Sequence, residues 1–596
     1  MTSNTFNAKT YVGKQFTAPH SGKVGLCLSG GGSRALSAGL GQLIGLKSIS
    51  TGEEKSLLDA VDYISSVSGG TWLTSIFCYS SNPDLDDLLG VYTPPNTLDL
   101  HNTNALSAGS IGHAPSKLSY LNMIDTVQHE IGFDNVILFP EVRKWIWTVV
   151  VGELVLKPFG LYNGSMTGSD ATLSPAPDRF FSLDKQHMES AIKSLTSGDS
   201  ANGSLTAEDF YFVQSGRPFP IMNTNIKVDI NQQHSPLLPT QGTPVAVGAS
   251  GSAGSAKLKV SANGGVESFA FSSSYQSDSS DIASVNIERR YSLIDIVSCS
   301  SAFFAEVLGE KIKPALKTFQ AGMAAANPGP EHEKIVSFTE KDLELSLASL
   351  TPQYPFWPVG ETNSQTVNTG FADGGNLDNS GIIGMLARSD AQALLVCFNS
   401  ETPLNNKETV SVEDYEKPVA QIDTGIPPLF GYQPSPVNNT YVKFSSKTPA
   451  DIVYLKAAQV FESHQFGLLL NGLYAASASQ TAACAFQFPD KLTVVDNPYA
   501  GIKNRSSVNV MWIYNNYASD WVDEIHTHSW ELADKIKAEH HIPLTDYWNF
   551  PNYSTGLQID LNATQVNTLA QFQAWVINQV DDDIACLFGV GIPGTR

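Results

Sequence analysis

The sequence predicts an α/β protein: a mostly parallel central sheet flanked by helices, with a lid-like insertion. Three observations lead there. Strand-like stretches rich in apolar residues recur at 23–28, 60–67, 393–399 and 508–513, the pattern of strands buried on both faces. The first two run through glycine-rich turns into stretches with apolar residues at helical spacing. The composition suits a large core, with 42% hydrophobic and 10% aromatic residues among 596. Length alone suggests several domains. With no internal repeat and no evident linker, residues 1–596 are expected to form a single elaborated domain.

In chain order, residues 23–28 form a strand that ends in Ser29-Gly30-Gly31-Gly32-Ser33-Arg34. Ala35, Leu36, Leu40, Leu43, Ile44 and Leu46 then mark a helix. Residues 60–67 repeat the plan, with Ser68-Gly69-Gly70 as the turn and Trp72, Ile76 and Phe77 opening the next helix. Such alternation argues for parallel pairing with both faces covered. From about 82 to 209, Pro, Asn, Gly and Ser break the pattern, so an insertion or cap over the loop end of the sheet is expected there. Its apolar segment 145–159 is expected to pack as core rather than touch lipid. Strands resume at 210–213 and 218–230. Residues 242–265, rich in Gly, Ser and Ala, read as a flexible surface loop. Residues 266–271 alternate, and 294–308 are helical after their start. A last helix spans about 563–580, with Asn562 as N-cap and Gln565 three residues on.

Charge excludes some functions. Lys plus Arg number 36 against 58 Asp plus Glu, a formal net charge of −22, whereas nucleic-acid binders need basic patches. The same balance argues against general attraction to anionic membrane. Six scattered cysteines, Cys27, Cys78, Cys299, Cys397, Cys484 and Cys586, form no CxxC and have mostly apolar neighbours, which predicts buried free thiols in a reducing compartment. Residues 1–20 lack the apolar region of a secretory signal, and no apolar run approaches membrane-span length. The expectation is a soluble protein.

Chemistry concentrates in three turns. A strand that ends in glycines and opens a helix aims backbone N–H groups into one small space, fit for a phosphate or for an acyl-transfer oxyanion. An ordinary tight βα turn is the plainer alternative. Ser66-Val67-Ser68-Gly69-Gly70 approximates the G-x-S-x-G nucleophile elbow, with Ser66 in place of the first glycine. Asp373-Gly374-Gly375 sets a carboxylate on a glycine turn, where it can stand clear of the backbone, although Asp-Gly is also a common turn pair.

Together, Ser29-Gly30-Gly31-Gly32-Ser33-Arg34-Ala35, Val67-Ser68-Gly69-Gly70-Thr71-Trp72 and Asp373-Gly374-Gly375 resemble the catalytic domain of cytosolic phospholipase A2 and the related fungal lysophospholipase/phospholipase B enzymes. Patatins are similar more distantly. Pro218-Phe219-Pro220-Ile221, Ser300-Ser301-Ala302-Phe303 and Phe550-Pro551-Asn552-Tyr553-Ser554-Thr555 fit too, so the resemblance runs from about residue 23 to 580. The 305-residue separation of Ser68 from Asp373 suits the cytosolic and fungal branch better than compact patatins.

The resemblance implies a Ser–Asp dyad without histidine: Ser68 as nucleophile and Asp373 as its general base. It further implies an oxyanion hole from the N–H groups of Gly31 and Gly32, and Arg34 as the holder of the substrate phosphate. A structural ion pair is the alternative role for Arg34. No metal and no cofactor are expected. The expected partner is a phospholipid or lysophospholipid at a peripheral membrane or micelle surface, reached transiently from the cytoplasm. No calcium-binding membrane module is expected in the 22 residues before the first strand.

Rival readings remain open from sequence. A Ser68–Asp373–His triad would draw on His464, His526 or His528. His526-Thr527-His528, His540-His541 and Asp581-Asp582-Asp583 read as solvated residues rather than metal ligands. The same dyad would also serve an acyltransferase, and a catalytically silent lipid-binding protein would retain the fold.

Overall fold

A computed structural model describes residues 4–593 apart from 13–21, 53, 104–105, 107–108, 197, 199, 228–236, 250, 252–263, 280, 326–334, 336, 338–349, 360–364, 414, 436–439, 446–452, 479–483 and 555–558. Its centre is a set of parallel strands made from the apolar runs: β1 (Val24–Leu28), β2 (Tyr63–Val67), β3 (Phe219–Lys227), β5 (Ala393–Phe398) and β6 (Arg505–Tyr514). They lie in the order β3-β2-β1-β5-β6, each parallel to its neighbour. Every residue of β1, β2 and β5 is buried, which is why β1 and β5 run apolar without alternation, while β2 carries two buried serines, Ser65 and Ser66. A further strand, β4 (Val367–Asp373), pairs antiparallel with β3.

The parallel character is confined to this centre, because the whole sheet has 15 strands and is mixed. Beyond β3 it continues through Leu237–Gly242, Ala246–Ala249, Gly264–Glu267, Thr5–Val12, Ile282–Asn286 and Ser274–Ser279, all antiparallel. This corrects the surface-loop expectation for 242–265. Residues 246–249 and 264–267 are buried strands whose small side chains let the ladders pack closely, while 250 and 252–263 lie outside the described residues. Residues 228–230 of the expected strand 218–230 also lie outside them.

Helices cover both faces. α1 (Gly32–Ser48) follows β1, and α2 (Gly69–Tyr79) follows β2. α3 (Leu293–Ser300) and α4 (Phe303–Ala325) come from the middle of the chain, and α5 (Ala563–Gln579) from its end. Asn562 caps α5, its side chain accepting from the Gln565 N–H while Gln565 returns the bond to the Asn562 N–H, as the sequence predicts. α1 and α5 touch backbone to backbone: a Cβ on Gly41 would run into the Ala570 carbonyl.

The described residues of 82–209 give no strand to the main sheet. Their short strands form separate two-stranded pairs, and Phe210–Phe212 joins Phe180–Ser182 rather than the central sheet as expected. Segment 145–159 is core-packed for most of its length: Trp147 is fully buried between Trp72 and Phe304. No helix among the described residues is long and apolar enough to cross a membrane.

Candidate active site

Strand register brings the serine and the aspartate together. β2 pairs with β3 as far as Val67 opposite Asn223, and there β2 ends. β4 approaches from the other direction and stops with Asp373 opposite Thr224. The other edge of β3 is taken by Leu237–Gly242 over Met222 to Lys227, so β2 and β4 share one edge and meet end to end. Ser68 follows one strand end and Asp373 closes the other. Their side chains meet across that junction, Ser68 Oγ donating to Asp373 Oδ2 at 3.1 Å. Both residues are only 4% exposed.

β3 also pins both ends with amide side chains. Asn223 Nδ2 donates to Ser66 O and Ser65 Oγ, each at 2.9 Å. Asn225 Nδ2 donates to Asp373 O at 2.7 Å and to Gly374 O at 3.1 Å. Two main-chain donors orient the carboxylate: Gly375 N–H reaches Oδ1 at 2.8 Å, and Phe303 N–H, at the start of α4, reaches Oδ2 at 3.2 Å.

The serine sits in a strained turn, with φ 51° and ψ −120° at the N-cap of α2. Its own N–H donates to Ser300 Oγ at 3.1 Å, and Ser300 Oγ donates to Asn223 O at 2.6 Å. Thr71 Oγ1 lies 2.9 Å from Ser300 Oγ and 3.2 Å from Ser66 Oγ. Ser66 therefore stands where the elbow pattern has glycine because its hydroxyl joins this buried chain. The first glycine turn abuts the elbow, and a Cβ on Gly69 would collide with Gly32 O. Gly31 and Gly32 have φ of 135° and 55°, a left-handed pair that turns the chain into α1 beside Ser68.

Ser68 and Asp373 open into a pocket of about 360 Å³ whose lining includes Gly31, Arg34, Phe303, Asn379, Glu401 and Asp423. Arg34 is buried. Its Nε donates to Asn399 O at 2.9 Å, and Nη1 donates to Tyr553 O at 2.5 Å and to Glu401 Oε2 at 3.3 Å. Burial lowers its pKa, while the Glu401 and Asp423 carboxylates oppose that shift. The loop after β5 that carries these partners hangs on buried amides: Gln42 Nε2 donates to Asn399 Oδ1, and Asn515 and Asn552 Nδ2 both donate to Ser400 O. This gives the Phe-Pro-Asn-Tyr stretch near residue 550 its structural role, while Thr555 lies outside the described residues.

The structure thus brings Gly31, Arg34, Ser68 and Asp373 to one pocket, with Gly32 against the elbow. None of the three triad histidines is among the pocket's described lining residues. His464 is exposed beside Glu462, and His526 ends a surface helix, Ser519–His526. Residues 82–209 contribute no described lining residue either. Within this segment Trp147 Nε1 donates to Ser301 Oγ at 3.2 Å; Phe303, Pro428 and Leu455 supply apolar pocket wall. Sequence reasoning missed Asn379, Glu401 and Asp423. Position offered the one available signal: Glu401 lies just beyond the carboxyl end of a central parallel strand, the edge where open α/β sheets place their ligands.

The architecture defines a class, an α/β protein with a serine–carboxylate pair at a strained strand-to-helix turn. Residues 24–131, which hold both glycine turns, match the family described as lysophospholipase catalytic domain. Phospholipase B of Cryptococcus neoformans var. neoformans serotype D is 32% identical over 152 residues, 25% of this chain and 22% of that protein. Phospholipase B of C. neoformans var. grubii serotype A is 31% identical over 144 residues, 24% and 20% of the respective chains. The matched stretch spans about a fifth of the length of these relatives. Human GIVD cytosolic phospholipase A2 aligns in three dimensions with a TM-score of 0.42 and 11% identity, over 96% of this chain and 60% of that one.

Proposed function

We propose that the protein hydrolyses fatty-acyl esters of phospholipids or lysophospholipids through a Ser68–Asp373 dyad. The observation that carries this reading is the 3.1 Å bond from Ser68 Oγ to Asp373 Oδ2 at the base of a pocket, between the two glycine turns. Asp373 takes the proton as Ser68 Oγ attacks the ester carbonyl carbon. The tetrahedral oxyanion is held by the N–H groups of Gly31 and Gly32, aided by the positive end of α1. Asp373 then protonates the departing alkoxide, and the glycerol-bearing alcohol leaves. Water, deprotonated by the same carboxylate, attacks the acyl-enzyme and frees the fatty acid and Ser68. Arg34 faces the substrate phosphate, with its planar group already fixed by the carbonyls of Asn399 and Tyr553. Phe303, 45% exposed and part of the pocket wall, meets the acyl chain at a membrane or micelle surface.

The test is lysophospholipid hydrolysis by Ser68→Ala and Asp373→Asn. Each change alone is expected to lower kcat by about 10³-fold or more, and the double variant no further, since the pair acts as a unit. A fluorophosphonate is expected to label the wild-type protein at Ser68. Full activity in either single variant would defeat the assignment.

A further inference from the structure

Charge is unevenly distributed around the pocket. Among its described lining residues Arg34 is the cation, set against three carboxylates, Asp373, Glu401 and Asp423. Asp373 is engaged by Ser68, Phe303 and Gly375. The other two flank the guanidinium, Glu401 Oε2 lying 3.3 Å from Arg34 Nη1. Asp423 is held in place by Ser400 Oγ at 2.6 Å and Gly425 N–H at 2.9 Å. Glu401 is 47% exposed, against 5% for Arg34, so the outer part of this wall is anionic.

A substrate phosphate that reaches Arg34 therefore arrives beside two negative charges. A phosphodiester ending in glycerol or serine brings a net negative charge into a pocket whose described lining already has two in excess. A phosphodiester ending in an ammonium group brings none, and its positive end finds the carboxylates where its phosphate finds the guanidinium. We propose that the pocket selects zwitterionic headgroups, with Glu401 as the partner of the ammonium group and Asp423 reinforcing it from the fixed wall. This inference rests on the phospholipid-hydrolase reading and adds the headgroup class to it.

The experiment compares kcat/KM for lysophosphatidylcholine, lysophosphatidylethanolamine and lysophosphatidylglycerol of one acyl chain, each diluted in neutral detergent micelles. The two zwitterionic substrates are expected to exceed the glycerol one by about fivefold, the upper range for a single half-exposed charge pair. Glu401→Gln is expected to erase most of that ratio, and Glu401→Asp to keep it. The ratio is taken within one preparation, so the folded fraction of a variant cancels. General repulsion by a chain of net charge −22 would survive the loss of one carboxylate, so a ratio unmoved in Glu401→Gln overturns the proposal. Equal rates on all three headgroups in the wild type overturn it as well, while leaving the hydrolase reading intact. No hydrolysis of any of them defeats that reading and this one with it.

Discussion

Ser68 is held by its neighbours' hydroxyls more than by its own side chain. Ser300 accepts from the Ser68 N–H and donates to Asn223 O, so it ties the elbow to β3. Ser300→Ala leaves a buried donor and a buried acceptor unpaired. A loss of about 1–3 kcal/mol in stability is expected, measured by urea unfolding, together with a fall in kcat that exceeds any change in KM. Ser68, Asp373, Gly31, Gly32 and Arg34 stand out in sequence because each belongs to a short glycine-turn motif, and four of them line one pocket. Glu401 and Asp423 do not. Nothing in their neighbours marks them, and only the exit of β5 and the amide network behind it carry them to the pocket.

At the scale of elements, the end-to-end meeting of β2 and β4 along β3 converts a separation of 305 residues into a hydrogen bond. The central strands were readable because burial on both faces leaves β1 and β5 as unbroken apolar runs. The antiparallel wing was not, since its strands at 246–249 and 264–267 are built from Gly, Ala, Val and Glu and carry a loop-like composition. The α1–α5 contact is equally hidden. Gly41→Ala raises intrinsic helix propensity by about 0.8–1 kcal/mol. It also drives a methyl group into the Ala570 carbonyl, where no side chain can yield. Net destabilisation of about 1–3 kcal/mol is expected from denaturant unfolding. A gain in stability would show that the two helices separate at no cost.

Over the whole molecule, the free thiols report how completely the layers close. Cys27, Cys78, Cys299, Cys397 and Cys484 are buried, and Cys586 is exposed. Burial raises the pKa of each of those five. The thiolate is the reactive form, so they are doubly protected. A small aromatic disulfide reagent is expected to titrate one thiol in the native protein and all six of the sequence in denaturant. Fast reaction of a second thiol without denaturant would reveal that one layer opens readily.

β6, the amides of Asn515 and Asn552, the Tyr553 carbonyl and α5 all lie beyond residue 504, yet they buttress a pocket lined by Ser68. On the ribosome, Ser68 emerges long before the wall that fixes Arg34 or the helix that covers Gly41. The pocket is therefore complete only once the stretch from β6 to α5 has been made, and a chain cut short of it would leave Arg34 without the Tyr553 carbonyl.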